Sequence, residues 1–238
     1  MIRKMLAVLG LAIVALGAML LWSYSATVVV IPVQEKVVAL TFDDGPNPPH
    51  TEALLDMLAQ HNVKAIFFLK GRNIEAFPES VKNIVEGAHE IGNHSYFHKP
   101  MISLCESDML EELVRTNNLI KHYTDEDTTI FRPPFGVQGS GLKMALDTLG
   151  MTSVLMSTHG VDWEVSDPQL IADAVLENIE PGSVILLHDG HGDVDDPNAQ
   201  QSRAPSVEAT GIIIETLQAQ GYQFGTVGEM LTMSRLSI

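Results

Sequence analysis

Two adjacent carboxylates, Asp43 and Asp44, close an apolar stretch in Thr41-Phe42-Asp43-Asp44-Gly45-Pro46. Consecutive strand residues point to opposite sides, so at a strand exit the two acids can take separate tasks. Gly45 and Pro46 let the chain turn sharply behind them, and the same letters on their own would also make an ordinary solvated turn. Farther on, Asn93-His94-Ser95-Tyr96-Phe97-His98 sets two histidines at i and i+4. One helical turn brings such a pair to the same side, a spacing suited to joint metal ligation. With nine histidines in the chain a chance pair is not rare, so the reading needs a third ligand, and Asp44 or Asp43 would supply it. Two His and one Asp leave positions open for water, as catalytic zinc requires. In Phe131-Arg132-Pro133-Pro134-Phe135-Gly136, the cation would hold a nearby carboxylate ionised, and the proline-stiffened backbone could present an N–H to an oxyanion. Last, the apolar run Val184-Ile185-Leu186-Leu187 ends on His188-Asp189-Gly190, and a histidine there must find a partner.

These groups lie far apart in the chain, so the elements between them must bring them together. Candidate strands are Val37–Phe42, Lys64–Leu69, His89–Asn93, Thr129–Arg132, Thr152–Met156, Ser183–Leu187 and Tyr222–Val227. Helical stretches alternate with them: His50–His61, Ala76–Gly87, Ser103–Tyr123, Gly141–Leu149, Pro168–Asn178 and Ser206–Gln220. Asp167-Pro168 reads as a helix start, and Gly150 and Gly221 as stops. Strict β-then-α alternation implies parallel strands with helical crossovers, an α/β fold of the (β/α) barrel type in one domain. Every reactive cluster then falls at the carboxyl end of a strand, the face on which such barrels carry their active sites.

Composition narrows the chemistry. The 238 residues carry 14 Lys+Arg against 30 Asp+Glu, a formal net charge of −16, which argues against nucleic acid as a partner. A single cysteine, Cys105, excludes an intramolecular disulfide framework and a thiolate-cage zinc site, so a metal must be held by His and carboxylate. Cys105 itself reads as a packed thiol in a helix.

The N-terminus is a different material. Arg3 and Lys4 precede an unbroken apolar run from Met5 to Trp22, long enough at about 1.5 Å per residue to cross a bilayer core. Residues 1–25 are therefore expected to be a single-pass membrane anchor with the remainder outside, the flanking basic residues staying inside. Cleavage before Ala26, guided by Ser23 and Ser25, would instead give a secreted protein. Residues 26–35 read as an extended linker, and 36–238 as the catalytic domain.

Together the clusters resemble the polysaccharide deacetylase family with its NodB-type domain, carbohydrate esterase family 4. Thr41–Pro46 looks like the first family motif, His94–His98 fits the second, Arg132–Gly136 the third and Leu186–Asp189 the fifth. The fourth, usually D-x-x-D-W, stands as His159-Gly160-Val161-Asp162-Trp163, with His159 in place of the leading Asp. The resemblance implies a deformed (β/α)7 barrel and metal-dependent removal of N-acetyl groups from β-1,4-linked sugars. It implies Asp44, His94 and His98 as metal ligands and Asp43 as general base. Arg132 would orient Asp43, with Asp162 supporting Arg132, and His188 would be the general acid. Phe135 would offer its backbone N–H to the oxyanion, Trp163 would line the substrate groove, and Leu186 would hold the acetyl methyl. Zinc suits such a His₂Asp set best, with cobalt or nickel able to substitute. The implied partner is an N-acetylated amino-sugar polymer; the expected anchor, which would hold the domain beside the wall, puts peptidoglycan first, then chitin-type oligomers or an exopolysaccharide, and the expected state is a monomer.

Two other classes compete. One is a catalytically silent carbohydrate-binding protein on the same fold, against which the full set of reactive residues speaks. The other is a glycosidase, whose carboxylates must flank the scissile bond about 5–10 Å apart, as sequence neighbours such as Asp43 and Asp44 could not. His50, His61, His89 and His122 read as structural or solvent-facing, Asp125–Asp127 as a solvated loop, and His191–Asp196 as a flexible rim loop.

Overall fold

A computed structural model describes residues 27–192 and 202–236. Its centre is β2 (Val37–Asp43), apolar at five of seven positions and buried along its whole length. β2 lies between β3 (Ile66–Leu69) and β8 (Val184–His188), parallel to both. From β3 the sheet continues through β4 (Glu90–Asn93), β5 (Ile130–Phe131), β6 (Thr152–Val154) and β1 (Thr27–Val28). On the other side β7 (Thr158–His159) follows β8, and β9 (Gln223–Phe224) pairs with the start of β2. Every named ladder is parallel. The result is the expected α/β architecture, a curled parallel sheet wrapped by helices.

Alternation along the strands sorts the core into two layers. Val38, Leu40, Phe42, Phe67, Ile185 and Leu187 face outward, against α1 (His50–Gln60), α6 (Pro168–Leu176) and α7 (Ala204–Ala219). Val37, Ala39, Ile66, Phe68, Ile130, Val154 and Val184 face inward, where Val227 and Met230 of α8 (Val227–Leu236) close the bottom. The remaining helices are α2 (Gly71–Ala76), α3 (Pro78–Glu86), α4 (Glu106–Thr124) and α5 (Ser140–Leu149).

Several elements differ from expectation, each for a local reason. The helix expected over 76–87 starts two residues later, because Pro78 opens α3 and holds Phe77 at φ −131°, ψ 60°, outside the helical region, and the short helix α2 that precedes it was not expected. The strand expected to run to Val227 ends at Phe224, because Thr226 and Glu229 form a reciprocal cap for α8. The expected tether 26–35 is part of the barrel wall from Thr27 onward. Thr27 and Val28 pair with β6, the Ile31 N–H donates to Gly182 O at 3.0 Å, and Ile31 and Val33 are buried. Cys105 is exposed rather than packed, since it is the residue before the first turn of α4. The Asp167 carboxylate caps α6 by accepting from the N–H groups of Gln169 and Leu170, and Gly150 ends α5 at φ 65°. The apolar run Met5–Trp22 lies outside the described residues, and among those described no helix is long and apolar enough to cross a membrane.

Candidate active site

The inner face changes character along each strand. On β2 the inward positions read Val37, Ala39, Thr41, Asp43, and on β8 they read Val184, Leu186, His188. Beyond Ile130 comes Arg132, and beyond Gly92 comes His94. In-register pairing of Asp43 with His188 and with Phe68 keeps these ends level. The reactive groups therefore converge at the carboxyl mouth because each sits two residues past a packed one.

Arg132 is fully buried and organises one side of this mouth. Its Nη1 donates to Asp43 Oδ1 at 2.7 Å and to Thr41 Oγ1 at 2.6 Å. Nε and Nη2 donate to the carbonyls of Val154 and Leu155 at 3.1 and 2.9 Å. Thr41 in turn donates to Ile185 O at 2.7 Å. The guanidinium carbon stands 4.1 Å from the centre of the Phe68 ring, a cation–π stack. Gly92 makes room for that ring, because a Cβ there would lie 2.5 Å from Phe68 Cδ1. Backbone carbonyls and an aromatic face thus support Arg132, where the resemblance implied Asp162.

Asp44, His94 and His98 meet beside this pair. Asp44 Oδ1 is 3.3 Å from His98 Nε2 and 3.6 Å from His94 Nε2, and one donor atom from each of the three residues falls within 4.8 Å of the others. His94 Nδ1 contacts Arg132 O at 2.8 Å, a bond that places the proton on Nδ1 and turns the Nε2 lone pair toward Asp44. Asp43 Oδ2 lies 3.7 Å from the same Nε2. Among the described residues, Asp44 Oδ1 and His98 Nδ1 are buried without a hydrogen-bond partner. A buried acceptor oxygen facing two imidazoles is the donor set that a divalent cation completes, so these residues fit a metal. Burial alone would raise the Asp44 carboxyl, but His98, Lys70 and His94 outweigh it and hold it well below the usual carboxylate range. Burial pulls His98 down to about 3, which keeps its ring neutral, the form that ligates. Asp44, Ser95 and His98 all hold left-handed backbone (φ 74°, 63° and 61°), a strain of order 1 kcal/mol each concentrated on these loops.

His188 stands across the mouth, its side chain 14% exposed. Its Nδ1 is 2.8 Å from Asp162 Oδ1, its N–H donates to Asp162 Oδ2 at 2.8 Å, and Ser206 Oγ donates to the same oxygen at 2.7 Å. Asp162 therefore belongs to His188. Burial opposes the imidazolium, yet the Asp162 carboxylate, aided by Asp44 and Asp43, raises the His188 pKa above its ordinary value. A raised pKa keeps His188 protonated to higher pH, so activity that needs the proton should persist above about pH 6.5 before it declines. Asp162→Asn should move that alkaline limb downward as well as slow the reaction; an unmoved limb in a pH–rate profile would remove His188 from the acid role.

The other expected residues lie around this centre. The Trp163 ring is 5.5 Å from that of His188 and 5.2 Å from that of His159, which is itself exposed. Phe135, at φ 59°, is 59% exposed, with its ring 4.6 Å from that of His98. Leu186 is buried below His188 on the inner face of β8. His89 accepts from the Ala65 N–H and packs edge-on to Phe67, away from the mouth, and His50 accepts from the Arg203 N–H. Asp127 accepts from Lys121 in an exposed loop.

Sequence reasoning missed four contributors. Phe68 and Lys70 sit in Ile66-Phe67-Phe68-Leu69-Lys70, where a lysine closing an apolar strand was a legible signal. Arg203 is buried and donates to the carbonyls of Gly190 and Asp162 at 2.7 and 2.8 Å, with no local pattern to announce it. Asp189, buried behind the site, accepts from Thr51 at 2.6 Å; burial, with the nearby Asp44 and Asp43, pushes it up to about 7.

Comparison with known proteins agrees with this fold. The family model described as polysaccharide deacetylase matches residues 31–154. A peptidoglycan-N-acetylglucosamine deacetylase of Bacillus cereus is 37% identical over 86% of this chain and 71% of its own length. The crystal structure of a peptidoglycan N-acetylglucosamine deacetylase in complex with a naphthalenyl N-oxidanyl-benzamide superposes with a TM-score of 0.80 at 36% identity, covering 89% of this chain and 95% of that one. A CE4 family pseudoenzyme from Bacillus anthracis superposes with a TM-score of 0.78 at 28% identity, over 87% of this chain and 69% of that one. The chain belongs to the polysaccharide deacetylase family.

Proposed function

We propose that this protein removes N-acetyl groups from N-acetylglucosamine-type residues of an extracellular polysaccharide, with peptidoglycan as the first substrate and chitin-type oligomers or an exopolysaccharide next. The observation that carries the reading is the convergence of Asp44, His94 and His98 between Asp43–Arg132 on one side and His188–Asp162 on the other. Amide hydrolysis needs an activated water, a stabilised oxyanion and a proton for the departing nitrogen. Asp44, His94 and His98 would hold a divalent metal, zinc by ligand preference, whose Lewis acidity serves both the acetyl carbonyl and the attacking water. Asp43, fixed by Arg132, accepts the water proton. The Phe135 N–H stabilises the oxyanion. His188, held protonated by Asp162, donates to the leaving nitrogen. Trp163 lines the groove for the sugar, and Leu186 borders the acetyl methyl.

Residues 1–25 anchor the protein in the cell membrane with the catalytic domain outside, signal cleavage giving a secreted form as the alternative. The domain acts as a monomer and engages no nucleic acid.

Acetate release from peptidoglycan, N-acetylglucosamine oligomers and an N-acetylated exopolysaccharide, measured with zinc or cobalt present, tests the reading. Release should vanish with a chelator, return on metal readdition, and fall at least about 100-fold in His98→Ala. No acetate from any of the three polymers by metal-loaded protein would leave a silent carbohydrate-binding protein.

A further inference from the structure

Lys70 lies between the end of β3 and the first residue of α2, yet its side chain is 4% exposed and turned into the mouth. Its Nζ donates to the carbonyls of His191 and Gly192, the latter at 2.7 Å. The same Nζ lies 3.9 Å from Asp44 Oδ1, the oxygen that also faces both imidazoles. Gly192, so tethered, lies against His98, where a Cβ would come within 3.1 Å of Nδ1. One buried ammonium therefore stands beside the carboxylate of the ligand set and fastens the loop edge that lies against one of its histidines.

We infer that Lys70 is a positioning residue that tunes the divalent-metal site, weakening metal affinity by its charge while holding the His191–Gly192 edge over His98. The inference rests on the reading that Asp44, His94 and His98 hold the metal. An ammonium beside Asp44 is the countercharge that a divalent cation must share the carboxylate with. Buried charges are poorly screened by salt, and even a water-like dielectric makes a unit charge a few ångströms from a dication worth about tenfold or more. The two carbonyls compensate Lys70 locally, so the ammonium stays in place rather than turning to solvent.

Zinc affinity of the full chain, measured by competition with a chromophoric chelator, separates charge from tethering. Lys70→Gln keeps a donor for the loop carbonyls but drops the charge, and should bind zinc about tenfold tighter or more. Lys70→Met should tighten similarly while making the loop edge more susceptible to proteolysis, and Lys70→Arg should stay within about threefold of wild type. Circular dichroism of each variant confirms folding, with Lys70→Gln as the fallback if Lys70→Met does not fold. Unchanged or weaker zinc binding in folded Lys70→Gln overturns the inference. Failure of wild-type protein to bind any divalent ion would instead overturn the metal-site reading on which it rests.

Discussion

Asp43→Asn should lower the rate of acetate release about 1,000-fold at saturating metal, because the amide cannot take up the water proton. The geometry makes this substitution informative. The amide oxygen would remain an acceptor for Arg132 Nη1, now 2.7 Å from Asp43 Oδ1, and Asp44, His94 and His98 would remain to hold the metal. Metal content should therefore stay at the wild-type level while turnover collapses. Retention of activity within tenfold would remove Asp43 from the base role.

Arg132→Leu should have the largest effect on stability. The guanidinium is wholly buried, and removing it strands the Asp43 carboxylate, the Thr41 hydroxyl and the carbonyls of Val154 and Leu155. Breaking a buried charge pair in this way costs about 3–5 kcal/mol. In a domain of this size that corresponds to a fall in Tm of roughly 10 °C. Arg132→Lys should recover only part of it, since an ammonium cannot reproduce the planar fork or lie flat on Phe68. Thermal unfolding followed by circular dichroism measures both. A fall under about 3 °C for Arg132→Leu would mean that the network is not what holds the mouth together.

Much of this site could be read before the structure because its parts are contiguous in the chain. Asp43-Asp44, Arg132 and His188 each close or follow an apolar strand, His94 follows β4, and strand alternation with parallel register aims Asp43, His94, Arg132 and His188 at one opening. What escaped was the set of partners. Arg132 is supported by carbonyls of Val154 and Leu155, groups that every residue possesses and no sequence pattern marks. Asp162 was attached to Arg132 by resemblance, whereas the 2.8 Å contact to His188 crosses 26 residues that only folding closes. The two-residue strands Thr27–Val28 and Thr158–His159 are too short to show a period, so the former looked like a tether. α8 had left a signal, the Thr226-x-x-Glu229 spacing, which an apolar strand pattern running into it obscured.

The stacking of reactive residues directly above packed ones on the same strands has a consequence for inactivation. Asp43 continues the line of Val37 and Ala39, His188 that of Val184, and Arg132 rests on Phe68, so these three groups have no joint of their own. An enzyme with its machinery on a separate lid loses turnover on warming well before it melts. Here the temperature at which acetate release fails should coincide with the temperature at which the β-sheet signal disappears, which makes residual activity a direct count of intact barrels.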